Sequence, residues 1–322
     1  MTYLVQLSDR SRGDTPRAWR AAQEVTGTLT IFALFSALLY GTADFLGGAA
    51  ARRTAVLGVL VVSVPFGAAI IVAAALLAGS PGPTATELAW GAASGLAGGF
   101  GLIVFYAGLA AGPMSLVAPL SALAATLLPV GVALAGGEHL PGPAFLGMAA
   151  CLAAIVLVSM DQRGPPRAAQ AGPRWPPRAS RLPAGRGLLY GLVAGVAFGL
   201  FFVLVKQAAP AGGFWPLVAS RAAGTLVVGA AAVWTRSGPP QWSHERRTVV
   251  MALLAGAFDA CANVLYVLAV SAGLFTIAVV LTSLYPAVTV LFARVVLGER
   301  MRRVQGAGLV LAAVGIVLVT AA

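Results

Sequence analysis

Residues 134–158 read LAGGEHLPGPAFLGMAACLAAIVLV, and residues 295–319 read VVLGERMRRVQGAGLVLAAVGIVLV. At a shift of 161, Gly137-Glu138 falls on Gly298-Glu299 and Gly147 on Gly308. Ile155-Val156-Leu157-Val158 then falls on Ile316-Val317-Leu318-Val319. Working backwards without gaps, Gly112 meets Gly273, Leu120 meets Leu281, Leu123 meets Leu284 and Phe105 meets Tyr266. Matches of Leu and Val alone carry little weight, because any two lipid-facing helices share them. A Gly-Glu pair at equal distance from the end of each half is not explained that way, so the two halves are read as related.

The composition says what kind of unit is repeated. Of 322 residues, 59% are hydrophobic and only 10% are charged, with a mean hydropathy of +0.90. Soluble domains are about a quarter charged. So few charges cannot cover a water-facing surface, and lipid is the solvent for most of the chain. Crossing the hydrocarbon takes about 20 apolar residues as a helix. Apolar runs between charged or Pro/Gly-rich breaks give ten such spans: 28–50, 55–79, 88–111, 113–135 and 143–160, then 187–208, 214–234, 248–271, 273–296 and 303–321. The domain reading is a polar tail over 1–27, a five-helix repeat over 28–160, a linker over 161–186 and a second five-helix repeat over 187–322. The linker carries Pro165, Pro166, Pro173, Pro176, Pro177 and Pro183 among arginines, a composition that buries no core. Five spans per repeat is an odd number, so the second repeat must enter the membrane upside down. The expected fold is all-α integral membrane, ten transmembrane helices in two inverted five-helix repeats around a central cavity.

The formal net charge of +11 does not point to nucleic acid. The basic residues are mostly Arg in short loops and tails between apolar spans, which is how membrane proteins mark their cytoplasmic face. Counting flanking Arg puts the loops with Arg52, Arg53, Arg236, Arg246, Arg247, Arg300, Arg302 and Arg303 inside and both termini outside; Arg10, Arg12, Arg17 and Arg20 in the tail argue the other way. Cys151 and Cys261 are isolated within spans, and His139 and His244 sit in loops, so neither a metal nor a catalytic set is expected and no cofactor is implied. The run from Leu29 to Tyr40 reads as the start of the first span rather than as a cleaved signal. Small-residue ridges recur at four-residue spacing: Gly187, Gly191, Gly195 and Gly199 on the sixth span, and Gly91, Gly95 and Gly99 on the third. Such ridges let helices approach closely.

An ionisable residue inside a span costs several kcal/mol unless paired or hydrated, so each is a candidate for function. Asp259 lies mid-way along the eighth span, and the spacing to Asn263 and Tyr266 puts all three on one face. It reads either as a substrate or proton site or as a packing acid tied to Arg221. Asp44, late in the first span, is either embedded or paired with Arg52 and Arg53. Arg221, well inside the seventh span, is either a bidentate holder of a substrate carboxylate or the counter-ion of an acid. Lys206 is the single lysine of the chain. It either snorkels to the headgroups or faces a cavity. Pro119 and Pro129 in the fourth span and Pro286 in the ninth, beside Thr282, Ser283 and Tyr285, predict broken helices near a midplane site. Tyr106, Tyr266 and Tyr285 are candidates to stack on or bond a ligand.

The sixth span reads Phe198-Gly199-x-x-Phe202-Val203-x-x-Lys206. This is similar to the aromatic-Gly-x-x-Phe-x-x-x-Lys pattern that opens each repeat of the EamA-type transporters of the drug/metabolite transporter superfamily. The Gly-Glu before the last helix of each half fits the same family. The first span carries the other copy from Tyr40-Gly41 to Gly47-Gly48, with Asp44 in place of the Phe and Gly48 in place of the Lys. The resemblance covers residues 29–160 and 187–320. It implies a ten-helix bundle, alternating access and export of a small metabolite, amino acid or drug, often coupled to protons. The expected function is secondary transport rather than enzymatic, across a bacterial-type plasma membrane, by a monomer or homodimer. A lipid or lipid-linked-sugar flippase of the same superfamily is the alternative, and a membrane-embedded enzyme a remoter one.

Overall fold

The computed structural model describes residues 15–111, 114–138, 141–159, 184–208, 213–235, 246–297 and 303–320. Among these residues the chain is about 90% helix, with no strand. The helices are α1 (Thr15–Ala51), α2 (Val56–Leu77), α3 (Ala85–Ala111), α4 (Met114–Ala135), α5 (Gly142–Ser159), α6 (Ala184–Ala208), α7 (Trp215–Trp234), α8 (Arg246–Ala272), α9 (Phe275–Thr282), α10 (Tyr285–Leu297) and α11 (Arg303–Thr320). Helix is the expected answer to this sequence, because a backbone in hydrocarbon must satisfy its own N–H and C=O groups. Among the described residues, six stretches are long and apolar enough to cross a bilayer: Gly27–Ala51, Val56–Leu77, Ala85–Ala110, Gly187–Ala208, Trp215–Trp234 and Arg246–Ala272. Shorter apolar stretches run over Leu120–Ala135, Gly142–Leu157, Phe275–Thr289 and Gly306–Leu318. The chain is a multi-pass membrane protein.

The outer surface confirms lipid as solvent. Leu77, Trp234, Val233 and Leu226 are among the most exposed large side chains, at 89%, 90%, 80% and 72%. Small residues line the interior instead. Gly91 and Gly95 of α3 meet the backbone at Pro216 and Ser220 of α7, and Gly99 lies 3.0 Å from the Gly224 Cα if given a Cβ. On α6, Gly191 packs on Leu120, Gly195 on Ser121 and Ala124, and Gly199 on Leu128, all of α4. Both glycine ridges are therefore seams between helices. The remaining close pairs are α1 on α8, α3 on α6, α5 on α11, α2 on both α7 and α8, and α1 on α9 and α10.

Local signals at the ends explain the punctuation. Thr84 and Glu87 form a reciprocal capping box at α3, with N–H···O distances of 2.7 and 3.2 Å. Gly137 closes α4 at φ +86°, a left-handed conformation that favours glycine. The next residue, Glu138, accepts a hydrogen bond from the Thr276 N–H at the start of α9, at 3.0 Å. Gly137-Glu138 thus ends one helix and caps another, while Gly298-Glu299 lies outside the described residues. Ser80, after α2, bonds Phe214 N–H and accepts from Trp215 Nε1 through its carbonyl, at 3.2 and 3.3 Å. Arg52, after α1, donates to the Leu109 carbonyl at 3.3 Å.

The prolines act differently from expectation. The fourth span is not broken: α4 runs through both Pro119 and Pro129. The ninth is broken at Ser283-Leu284, and Pro286 stands in the first turn of α10. A proline in a first turn removes an N–H that has no helical partner anyway. The turn between α9 and α10 is held by Ser283 N–H and Oγ to the Val279 carbonyl and by Leu284 N–H to Leu281.

Candidate functional site

Seven helices leave a cavity between them. Its walls come from Tyr40 and Asp44 of α1, Val64 of α2, Gly95, Gly98, Gly99 and Leu102 of α3, and Phe198, Phe201 and Phe202 of α6. Ser220, Arg221 and Gly224 of α7, Asp259 and Asn263 of α8, and Tyr285 of α10 complete it. The unfilled space, counted to the cavity's mouth, is about 670 Å³. The glycines of α3 and Gly224 make the space: a side chain at any of them would enter it or push the wall apart. A Cβ on Gly98, for instance, would stand 2.9 Å from the Phe201 ring.

The polar groups sit on one side. Arg221 Nη2 pairs with Asp259 Oδ2 at 2.5 Å, with side-chain exposures of 8% and 20%. Asn263, one turn on, donates from Nδ2 to the Asp259 carbonyl at 2.7 Å and reaches its Oδ1 at 3.5 Å. Asp259 and Asn263 share a helix face because four residues make about one turn. One residue before Arg221, Ser220 accepts from the Ser94 hydroxyl at 2.9 Å, fixing α7 against α3. Asp44 is half-buried and lines the same cavity. Neither a hydrogen bond nor an ion pair engages its carboxylate among the described residues. The opposite side is aromatic. Tyr40 meets Phe202 edge-on at 6.4 Å and Tyr285 at 6.1 Å, and Phe202 contacts Phe201 at 5.3 Å.

Of the residues singled out in the sequence, Asp259, Asn263, Asp44, Arg221 and Tyr285 come together at the cavity. Three stand elsewhere. Tyr266 is fully buried behind the wall, its ring 4.7 Å from Phe202. Tyr106 is buried between α3 and α1, where its hydroxyl fills the space beside Gly47. Lys206 lies past the end of the cavity, 3.8 Å from Glu138 and 4.3 Å above the Phe275 ring. Asp44 lines the cavity, while Arg52 is turned to Leu109; Arg221 stands in an ion pair with Asp259. Tyr40 and the Phe198, Phe201, Phe202 stripe were not among the sequence candidates. Their signal is present: Tyr40 stands four residues before Asp44, and the three phenylalanines have helical spacing.

Comparison with known proteins agrees with this picture. Residues 185–321 match the EamA-like transporter family, of the drug/metabolite transporter superfamily. The resemblance seen in the sequence is thus found again over the second half of the chain. No curated protein matches the chain. A solved crystal structure, described only as that of a protein, aligns over 91% of this chain and 96% of its own at a TM-score of 0.65. Its identity of 17% makes this a likeness of fold alone.

Proposed function

We propose that the chain is a secondary active transporter of the plasma membrane that exports a small organic solute, in exchange for protons, by alternating access. In this reading ten spans form two inverted repeats, α1 to α5 and α6 to α11, with α9 and α10 together making the ninth span. What supports it is a packing pattern that survives exchange of the halves. The contact of α1 with α8 becomes that of α6 with α3, α2 with α8 becomes α7 with α3, and α4 with α6 becomes the α9–α10 unit with α1. The contacts of α2 with α7 and of α5 with α11 map onto themselves. Alternating sides also fit. The ends joined by Ser80 with Phe214 and by Glu138 with Thr276 belong to one face, and those joined by Arg52 with Leu109 to the other.

The observation that carries the functional reading is charge inside the bundle. Two acids and one arginine line a cavity whose outer helices expose leucine and valine to lipid. Intramembrane charges are expensive and mark solute or proton paths. A proton on Asp259 removes the charge that holds Arg221, and the freed guanidinium then favours a different packing of α7 against α8. The glycine seams of α3 with α7 and of α4 with α6 have backbones in near contact, so these helices can shift without interlocked side chains. Replacing Asp259 with Asn abolishes solute flux driven by a pH gradient in proteoliposomes while the protein still purifies as a folded species. Full coupled flux by that variant sinks the proposal.

A further inference from the structure

The unmet polar groups of the cavity are unequal in kind. The charged donor, Arg221, is neutralised by Asp259, and Asn263 spends its amide N–H on the Asp259 carbonyl. Two acceptors remain. The Asp44 carboxylate lines the cavity without a hydrogen-bond or ion-pair partner among the described residues. Asn263 Oδ1, on a residue 2% exposed, has none either. The donors left over are Arg221 Nε, part of a guanidinium whose charge is already balanced, and the neutral Tyr40 hydroxyl, which can also accept. Whenever Asp44 is ionised together with the Asp259–Arg221 pair, the lining carries one uncompensated negative charge, which a cationic solute would balance.

From this we infer that the cavity takes a protonated primary or secondary amine carried on an apolar, ring-sized body. The inference rests on the transport reading and names the solute class of that same site. The ammonium group supplies the positive charge that Asp44 lacks and an N–H for Asn263 Oδ1. A buried carboxylate gains most from a partner that brings both charge and hydrogen bonds. The apolar body lies against Tyr40, Phe198 and Phe202, whose ring faces also attract a cation. A carboxylate solute would need a free base. Arg221 is engaged, and Lys206 sits outside the cavity with Glu138. A zwitterion would have to take Arg221 from Asp259 and leave that acid unpaired. A quaternary ammonium has no N–H for the amide oxygen.

Isothermal titration of the full chain in detergent, with four probes of one shape, tests the inference: phenethylamine, phenethyltrimethylammonium, phenylalanine and 3-phenylpropionate. The amine is expected to bind tightest. Asp44→Asn should weaken it by about tenfold or more, as loss of a charged hydrogen bond implies, and Asp44→Glu should restore most of the affinity. If Asp44→Asn does not fold, the ranking of the four probes on the parent protein decides. Tightest binding of the zwitterion or the carboxylate overturns the inference. So do a quaternary cation equal to the amine, an amine affinity unchanged in Asp44→Asn, or binding of none of the four. Flux of isotope-labelled probes driven by a pH gradient in proteoliposomes, against protein-free liposomes, separates the two readings. Amine binding without protein-dependent flux overturns transport and leaves the inference standing; flux of phenylalanine and none of the amine does the reverse.

Discussion

Arg221 and Asp259 offer the sharpest quantitative test, because one is nearly enclosed and the other largely so. Charges about 4 Å apart, centre to centre, attract by about 4 kcal/mol at an effective dielectric of about 20. The cost of taking both from water offsets much of that, so the pair itself adds little net stability. Breaking it is another matter: removing one partner from a buried pair costs about 3–5 kcal/mol. The third charge makes the two single variants unequal. Arg221→Gln leaves Asp259 and Asp44 as two acids in one cavity, without a base among its lining residues. Asp259→Asn leaves Arg221 with Asp44 in the same cavity. The loss should therefore be greater for Arg221→Gln, at about 4–5 kcal/mol, than for Asp259→Asn, at about 3 kcal/mol. The double variant returns the cavity to one lone acid, so its loss should fall below that of Arg221→Gln alone, and the two single losses should not add. Unfolding free energies from SDS titration in mixed micelles measure all four proteins. Additive losses, single losses below about 1 kcal/mol, or the reverse order of the two singles would refute the reasoning.

The glycine seams predict a contrast. Gly195→Leu should cost at least about 2–3 kcal/mol and lower the yield of folded protein, because a Cβ there stands 2.6 Å from Ala124 Cβ; Gly229→Ala, with nothing within 4 Å, should be neutral or slightly stabilising in the same unfolding titration. At the cavity's end, Glu138→Ala loses both Lys206 and the cap on Thr276, whereas Lys206→Met loses an ion pair with a 40%-exposed lysine. Thermal unfolding in detergent should show about 1–2 kcal/mol for the first and under about 0.5 kcal/mol for the second; equal effects would remove the capping role of Glu138. For topology, a cysteine at Gly82 should react with an impermeant maleimide added to intact cells, and one at Thr54 only after permeabilisation. The opposite pattern would invert the orientation read from the arginines.

Different physics governs what could be read at each level. Hydropathy and charge scarcity declare the solvent, and lipid admits so few backbone solutions that helix follows from composition alone. The Gly137-Glu138 pair stood out for a related reason. Gly137 is needed at a positive φ and Glu138 at the cap of another helix, so a pair with two backbone duties remains visible among interchangeable leucines and valines. The glycine ridges were legible too, since spacing of four defines a face, but not which helix each ridge meets.

Facing was the missing information at the site. Spacing placed Asp259, Asn263 and Tyr266 on one side of α8, yet a face about 100° wide holds both a cavity wall and the core behind it: Asn263 lines the space and Tyr266 packs behind Phe202. The fourth span shows the same limit, as Pro119 and Pro129 leave α4 continuous while Pro286 begins a new helix. The sequence by itself determined the solvent, the helices and their approximate ends, because each depends on neighbours along the chain. Only the tertiary structure decided that Arg221 is matched to Asp259 while Asp44 has no hydrogen-bond or ion-pair partner among the described residues. Charges more than two hundred residues apart, such as Asp44 and Asp259, share one cavity through helix packing, which no local pattern encodes.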